Sequence, residues 1–273
     1  MKRLAIFGST GMLGSYACKY FSRFYECVEI TRKRVDASFV MSYLDELDDI
    51  IKDVDVVINC VGVLKPFISS SPGNDVVKIN TLFPVLLADM CSKYDNKMIH
   101  VSSDCVFSGT KGRYIESDVC DANDTYGRTK SLEPYQATTL RTSFVGEQKN
   151  VRAPGLLQWV LNSKNEAING YTNCLWNGVT CLQLCKTVHN IIEQDQFWLG
   201  VRHLFSNETF SKYEICMMIK DVYNIDLEIS ECVTDNISGT NVYGVLDRTL
   251  STEYECIKTP PFIEQLIEQK GFL

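Results

Sequence analysis

The stretch GSTGMLG, residues 8–14, directly follows the apolar run LAIF at residues 4–7. Glycine is costly inside a strand or a helix. Glycines at 8, 11 and 14, between an apolar run and an amphipathic stretch, therefore mark a turn joining a strand to a helix. Such a turn is a phosphate site. Glycine lets the chain reverse tightly, lets backbone N–H groups approach a pyrophosphate, and lets helix and strand pack closely. The helix N-terminus adds a partial positive charge. The spacing is Gly8-x-x-Gly11-x-x-Gly14, with Thr10 where the G-x-G-x-x-G pattern has glycine.

The rest of the first half alternates. Residues 12–24 read as a helix that buries Leu13, Ala17, Tyr20, Phe21 and Phe24 on one face. CVEIT (27–31) reads as a strand, DELDDIIKDV (45–54) as a short helix, and DVVINCVG (55–62) as a strand covered on both faces. NTLFPVLLADMCSKY (80–94) is a helix and KMIHVSS (97–103) a strand; YGRTKSLEPYQ (126–136) is helical with Pro134 interrupting, and TTLRTSFV (138–145) is a strand. Strands alternating with helices predict an α/β fold with a doubly wound parallel sheet. After about residue 150 the rhythm loosens: helices at GLLQWVLN, LQLCKTVHNIIEQ and SKYEICMMIKDVY flank a turn-rich NGYTNCLWNGVT and a strand VRHLFS. The expected division is a cofactor domain over residues 1–150, with 181–205 returning to it. A smaller interleaved substrate lobe takes 151–180 and 206–273.

A net charge of −7 argues against broad nucleic-acid binding, which needs a basic footprint. No run reaches the ~18 apolar residues of a membrane span. The basic-then-apolar start MKRLAIFGST is too short for a signal peptide and runs into the glycine turn, so a cytoplasmic protein is expected. The twelve cysteines include no C-x-x-C, and Cys181 and Cys185 have helical spacing, so they read as buried free thiols. The histidines at 100, 189 and 203 are scattered, and no metal site is expected.

The second strand is followed by Arg32, Lys33 and Arg34, where a ribose-binding acid would stand in an NAD site. Basic residues there suit a 2′-phosphate, so NADPH is expected over NADH as cofactor. Tyr126 and Lys130, four apart, share a helix face. An ammonium near a phenol favours the phenolate and makes the tyrosine usable as a proton donor and acceptor. A serine ending the strand HVSS can hydrogen-bond a reacting oxygen.

GSTGMLG, NCVGV, Asn80 in INTLFP, VSSDCVFSGTKGRYIESD, YGRTK, LRTS, LWNGVT and DRTLS together cover nearly the whole chain. On these motifs it resembles the extended short-chain dehydrogenases/reductases, and within them the dTDP-4-dehydrorhamnose reductases and related sugar-nucleotide reductases. The resemblance implies a Rossmann-type fold and reduction of a UDP- or dTDP-linked 4-keto-6-deoxy sugar to a 6-deoxy-L-sugar nucleotide of rhamnose type. It implies that Gly8, Gly11 and Gly14 hold the pyrophosphate, with contacts from Ser9, Thr10, Met12 and Leu13. Arg32 would face the adenosine phosphate, Asp36 the adenine, and Cys60, Val61 and Gly62 would line the cofactor. Ser103 would polarise the ketone, Tyr126 donate the proton, and Lys130 lower the Tyr126 pKa and bind the nicotinamide ribose, while hydride passes to C4 of the sugar. The resemblance also implies pairing of flanking helices in a homodimer.

The chain departs from that pattern in two places. Ser103 replaces the usual Thr and keeps a hydroxyl. Cys105 stands where the reductases often have Tyr; the Asp-Glu pair of the related 4,6-dehydratases is absent, since Asp104 is followed by Cys105, which counts against a dehydratase. In epimerase-reductases of the GDP-fucose synthase and plant rhamnose-synthase type a cysteine here moves a proton beside the ketone, so a bifunctional epimerase/reductase is the alternative. Its partner acid or base is missing from GLLQWVLN, which Lys149 and Lys164 only flank. A non-catalytic NADP-binding regulatory subunit is a further alternative, since the regulatory subunit of methionine adenosyltransferase resembles this family. For the sugar nucleotide, Trp176 can cover an apolar sugar face and Asn177 bond hydroxyls, Arg248 suits the diphosphate, and Lys65, Asp104 and Cys105 complete the expected substrate contacts.

Overall fold

The computed structural model describes residues 1–148, 153–234 and 244–273. The boundary expected between 150 and 151, and Lys149, lie outside the described residues.

In chain order the first part runs β1 (Arg3–Phe7), α1 (Met12–Phe21), β2 (Glu26–Ile30), α2 (Leu44–Lys52), β3 (Val56–Asn59), α3 (Lys65–Ile68), α4 (Gly73–Val77), α5 (Phe83–Lys93), β4 (Lys97–Ser103), α6 (Thr125–Lys130) and β5 (Thr138–Thr142). The second continues with β6 (Phe144–Val145), α7 (Leu156–Asn162), β7 (Ala167–Tyr171), β8 (Cys174–Trp176), β9 (Val179–Thr180), α8 (Cys181–Glu193) and β10 (Gly200–His203). It ends with β11 (Phe210–Ser211), α9 (Lys212–Tyr223), β12 (Glu228–Cys232), β13 (Leu246–Asp247) and α10 (Phe262–Gln269).

Six parallel strands form the main sheet in the order β10-β5-β4-β3-β1-β2. The strands are apolar on both faces because helices cover both. Leu4, Ile6, Val56, Ile58 and Ile99 pack against α1 and α8, while Ala5, Phe7, Val57 and Met98 pack against α2 and α5. From β1 the chain crosses to β2 on one side and then returns past β1 to β3 on the other. That reversal opens a crevice beyond the carboxyl ends of β1 and β3, the usual ligand position in such sheets. A second core of Val145, Leu157, Trp176, Ile215, Phe262 and Leu266 joins α7, α9, α10 and the short sheets β11-β8-β13, β12-β7 and β6-β9.

Several local expectations are corrected. Helix α1 stops at Phe21, so Phe24 leaves the buried face; it is half exposed and lies 4.4 Å from the His189 ring. Helix α6 ends at Lys130, because Pro134 disfavours helix for the residue before it and Ser131 already caps the turn. The expected strand 138–145 divides at Ser143, where the chain turns from the main sheet into the pair β6-β9. The stretch 169–180 contains strands despite its turn-rich composition, because each is short and paired: β8 lies between β11 and β13, and β9 pairs with β6. Helix α10 adds to the expected set.

A Cβ on Gly14 would stand 2.0 Å from the Gly8 carbonyl oxygen, whereas one on Gly73 would meet nothing within 4 Å. Gly14→Ala should therefore lower stability in urea by about 2–4 kcal/mol, and Gly73→Ala should leave it within about 0.5 kcal/mol. Equal midpoints for the two variants would contradict this packing.

Candidate functional site

The glycine turn is held to the sheet before it meets any ligand. The N–H groups of Gly8 and Ser9 donate to Ile30 O at 3.0 and 3.3 Å, and that of Gly11 to Gly8 O at 2.9 Å. Gly8 has φ +78°, a left-handed value that favours glycine. Helix α1 then starts behind β1, with no acidic residue in its first turn to compete for an anion. The Ser9 hydroxyl is buried without a hydrogen-bond partner. A cradle that excludes Cβ atoms, a helix N-terminus and an orphaned hydroxyl fit a pyrophosphate. Leu13 is packed in the core, so only its backbone is available to a ligand; Met12 packs against the same core.

Beside the turn lies a cavity of about 180 Å³ lined by Gly8, Thr10, Arg32, Asp36, Val61 and Gly62, among others. Its shape and place suit the adenosine end of a dinucleotide. Arg32 is exposed, and its Nε donates to Asp36 Oδ2 at 2.9 Å. The other Asp36 oxygen accepts from the Ser38 N–H at 3.0 Å and hydroxyl at 2.7 Å. Burial opposes ionisation of Asp36, but these Ser38 and Arg32 bonds outweigh it and hold its carboxyl below the ordinary range. Arg34 turns away to Glu46 at 2.7 Å. The Cys60 thiol, at the end of β3, is pushed up to about 12 by burial. Asn80, buried in a π turn before α5, clips the neighbouring loop: it accepts from the Val63 N–H and donates to Val63 O and Thr129 Oγ1.

Ser103 ends β4 and Tyr126 lies in the first turn of α6, close enough for the Ser103 hydroxyl to act on the phenol; that hydroxyl also accepts from the Cys105 N–H at 3.1 Å and faces Asp104 Oδ1 at 3.3 Å. The close approach needs Gly127, where a Cβ would stand 2.4 Å from Cys105 O. Asp124 caps α6, accepting from the Gly127 N–H at 2.9 Å, and pairs with Lys65 Nζ at 2.8 Å. Lys65 Nζ lies 5.9 Å from the centroid of the Tyr126 ring. Burial raises the phenol above its ordinary range, Cys105 and Asp104 add to this, and the Ser103 bond opposes it. Lys130 is buried, donates to Val101 O at 3.1 Å, and is pulled down to about 8 by burial. Lys130 is not among the leading influences on the phenol, so the expected lowering by the lysine gives way to desolvation; Tyr126 stays protonated at neutral pH and is poised to give a proton.

Of the expected sugar contacts, Asp104 and Cys105 follow Ser103 directly, and the Cys105 thiol is raised to about 11 by burial. Arg248 is buried: its Nε donates to Phe107 O at 2.8 Å, while Nη1 lies 3.9 Å from Cys105 Sγ. Two assignments are corrected. Trp176 is a core residue, edge-on to Phe262 at 5.0 Å and backed by Gly178. Asn177 spends both ends of its amide on the Leu250 backbone, at 2.8 and 2.9 Å. Two residues were not anticipated. Asp124 was legible as an Asp helix cap. Lys212, at the start of α9, stands 5.1 Å from the Trp176 ring centroid and acts electrostatically on Asp104 and Cys105; nothing local in the sequence signals it. Among the described residues no His/Cys/Asp/Glu group is arranged to hold a metal ion, and no helix is long and apolar enough to cross a membrane.

The family model described as RmlD substrate binding domain matches residues 1–241. A methionine adenosyltransferase 2 subunit beta of Xenopus laevis is 27% identical, covering 94% of this chain and 81% of that protein. A dTDP-4-dehydrorhamnose reductase of Aggregatibacter actinomycetemcomitans is 24% identical over 90% of this chain and 86% of its own. The solved dTDP-4-dehydrorhamnose reductase of Bacillus anthracis, in complex with NADP, superposes with a TM-score of 0.83 at 16% identity over 98% of both chains. Likeness at that identity is likeness of fold.

Lys130 titrates lower in the fold than the ordinary 10.5, so the unfolded chain binds its proton more tightly. Below about 8 the buried charge is a penalty on folding, relieved as pH rises from 8 towards 10.5. Lys130→Met should therefore stabilise the protein at pH 7, by on the order of 1–3 kcal/mol in urea unfolding. A destabilised variant would contradict the burial argument.

Proposed function

The chain belongs to the family of the RmlD substrate binding domain, and from that premise we infer that it is an NADP-dependent reductase of a nucleotide-linked sugar ketone. The finer reading is reduction of a UDP- or dTDP-linked 4-keto-6-deoxyhexose, with hydroxyl or acetamido at the 2-position, to a 6-deoxy-L-sugar nucleotide. The observation that carries it is the placement of Ser103 at the carboxyl end of β4 beside Tyr126 in the first turn of α6, with Lys130 on the same short helix. When bound, the reduced nicotinamide supplies hydride. Ser103 then hydrogen-bonds the ketone oxygen. Tyr126, protonated because it is buried, gives its proton to that oxygen as negative charge develops there. Ser103 and Lys130 stabilise the phenolate left behind. Lys65, Arg248 and Lys212 outnumber Asp104 and Asp124 around the same cleft, a balance suited to a diphosphate. In this reading residues 1–150 with 181–205 form the cofactor unit, 151–180 with 206–273 the substrate lobe, and the assembly is a homodimer.

One observation favours a second reading. Lys212 approaches Cys105 from α9, which supplies the ammonium that GLLQWVLN lacks for a bifunctional epimerase/reductase. Solvent deuterium incorporated beside the ketone would identify that activity. The regulatory reading, to which the methionine adenosyltransferase likeness belongs, requires NADPH binding with no turnover on any sugar nucleotide.

Tyr126→Phe should abolish turnover, by at least about a hundredfold, while NADPH binding stays within about twofold of the parent protein. Unchanged turnover would remove Tyr126 from the mechanism. Arg32→Ala should weaken NADPH more than NADH in fluorescence titrations; equal losses would undo the 2′-phosphate assignment.

A further inference from the structure

Behind the catalytic helix runs a buried polar chain that the reaction does not touch. Glu133 and Arg141 form a forked ion pair, Nη2 to Oε2 at 2.6 Å and Nε to Oε1 at 3.0 Å, with both side chains under a tenth exposed. Glu133 Oε1 also accepts from the Ser102 hydroxyl at 2.5 Å. Strand alternation makes this possible: Ser103 faces the cleft, so its neighbour Ser102 faces the opposite side of β4. Arg141 Nη1 lies 3.1 Å from His203 Nε2, and His203 Nδ1 lies 2.7 Å from Ser251 O and 3.1 Å from Tyr114 O. Facing carbonyls at Nδ1 and a guanidinium at Nε2, the ring carries its proton on Nδ1 and is neutral. The chain therefore ties β4, β5, β10 and the segment at Ser251 to the turn just after Lys130.

A buried ion pair gains little net stability, because desolvation offsets the attraction. Its rigidity matters more here. We propose that Glu133 is a positioning residue for Lys130: its carboxylate, pinned by Arg141 and Ser102, fixes the exit of α6 and holds a negative charge behind the lysine ammonium. The inference rests on Lys130 acting as an ammonium in the proposed reduction.

The surroundings of Lys130 support this. Tyr126 lies on its own helix, Cys60 approaches from β3 and His100 from β4, and Glu133 follows in the turn. His100 is buried and held well below its ordinary range, so it is neutral. Lys130 Nζ donates to Val101 O at 3.1 Å, and the next residue of β4, Ser102, donates to Glu133 Oε1 at 2.5 Å, so ammonium and carboxylate are anchored at successive residues of one strand; burial lowers Lys130, and Glu133 opposes that fall. The charge of Arg141 is directed at Glu133 and over the Phe107 ring, 5.1 Å from its centroid.

Glu133→Gln removes the charge while keeping the size of the side chain. In lysine-labelled protein, with Lys130→Met to assign the signal, Lys130 should titrate about one pH unit lower by NMR. The basic limb of turnover against pH should fall equally, with kcat at pH 8 reduced about fivefold and KM for the sugar nucleotide little changed. A folded Glu133→Gln protein whose Lys130 titrates as in the parent overturns the proposal. Should that variant not fold, Glu133→Asp keeps the charge on a shorter arm. It should lower kcat and leave the Lys130 titration in place; a titration that drops in the Asp variant overturns the proposal equally. The NMR readout needs no substrate, so a protein that reduces no sugar nucleotide would sink the reductase reading and still leave this inference tested.

Discussion

The backbone contact between Gly8 and Gly14 sets the rest of the molecule in place. Helix α1 can start directly behind β1 only because no Cβ stands between it and the Gly8 carbonyl. That approach aims the helix N-terminus into the crevice opened by the strand reversal, and it leaves the Ser9 hydroxyl buried there without a partner. Gly127 repeats the device on the other side of the crevice, letting α6 press against the turn at Cys105. Backbone approaches that other residues would block thus bring the two halves of the site together.

Those approaches put charge where the fold does not favour it. Lys130 is buried with a backbone carbonyl as its hydrogen-bond partner, and burial moves its titration down to about 8 while raising that of the Tyr126 phenol. For a reductase both consequences are useful. The phenol keeps its proton until an oxygen anion forms beside it, and the ammonium sits on the same short helix. Lys65 and Asp124, paired beside the Tyr126 ring, tie the loop after β3 to the cap of α6, so cofactor-side and substrate-side elements share a fixed point.

Much of this was legible because local chemistry coincided with tertiary need. The glycine turn, the alternation through β5, the Ser cap of α9 and the Tyr126–Lys130 spacing follow from period and propensity, which packing did not override. Phe24 was misread because a helical face continues on paper after the helix has ended. Trp176 and Asn177 were misread for a different reason. An aromatic and an amide in a turn-rich stretch look like ligand contacts, but a second core needed the indole and the Leu250 backbone needed the amide. Lys212 was invisible because its importance comes from the lobe that carries it toward Cys105, not from its neighbours in sequence. The same holds for Glu133, whose partners lie on β4 and β5.

The measurement closest to the central claim follows a label. The protein is incubated with NADPH carrying deuterium at the transferable position and a panel of UDP- and dTDP-linked 4-keto-6-deoxy sugars, and the products are examined by NMR. The account predicts stoichiometric oxidation of the cofactor, deuterium at C4 of one sugar, and none of either with the Tyr126→Phe protein. Cofactor that binds but is consumed with no member of the panel would contradict it.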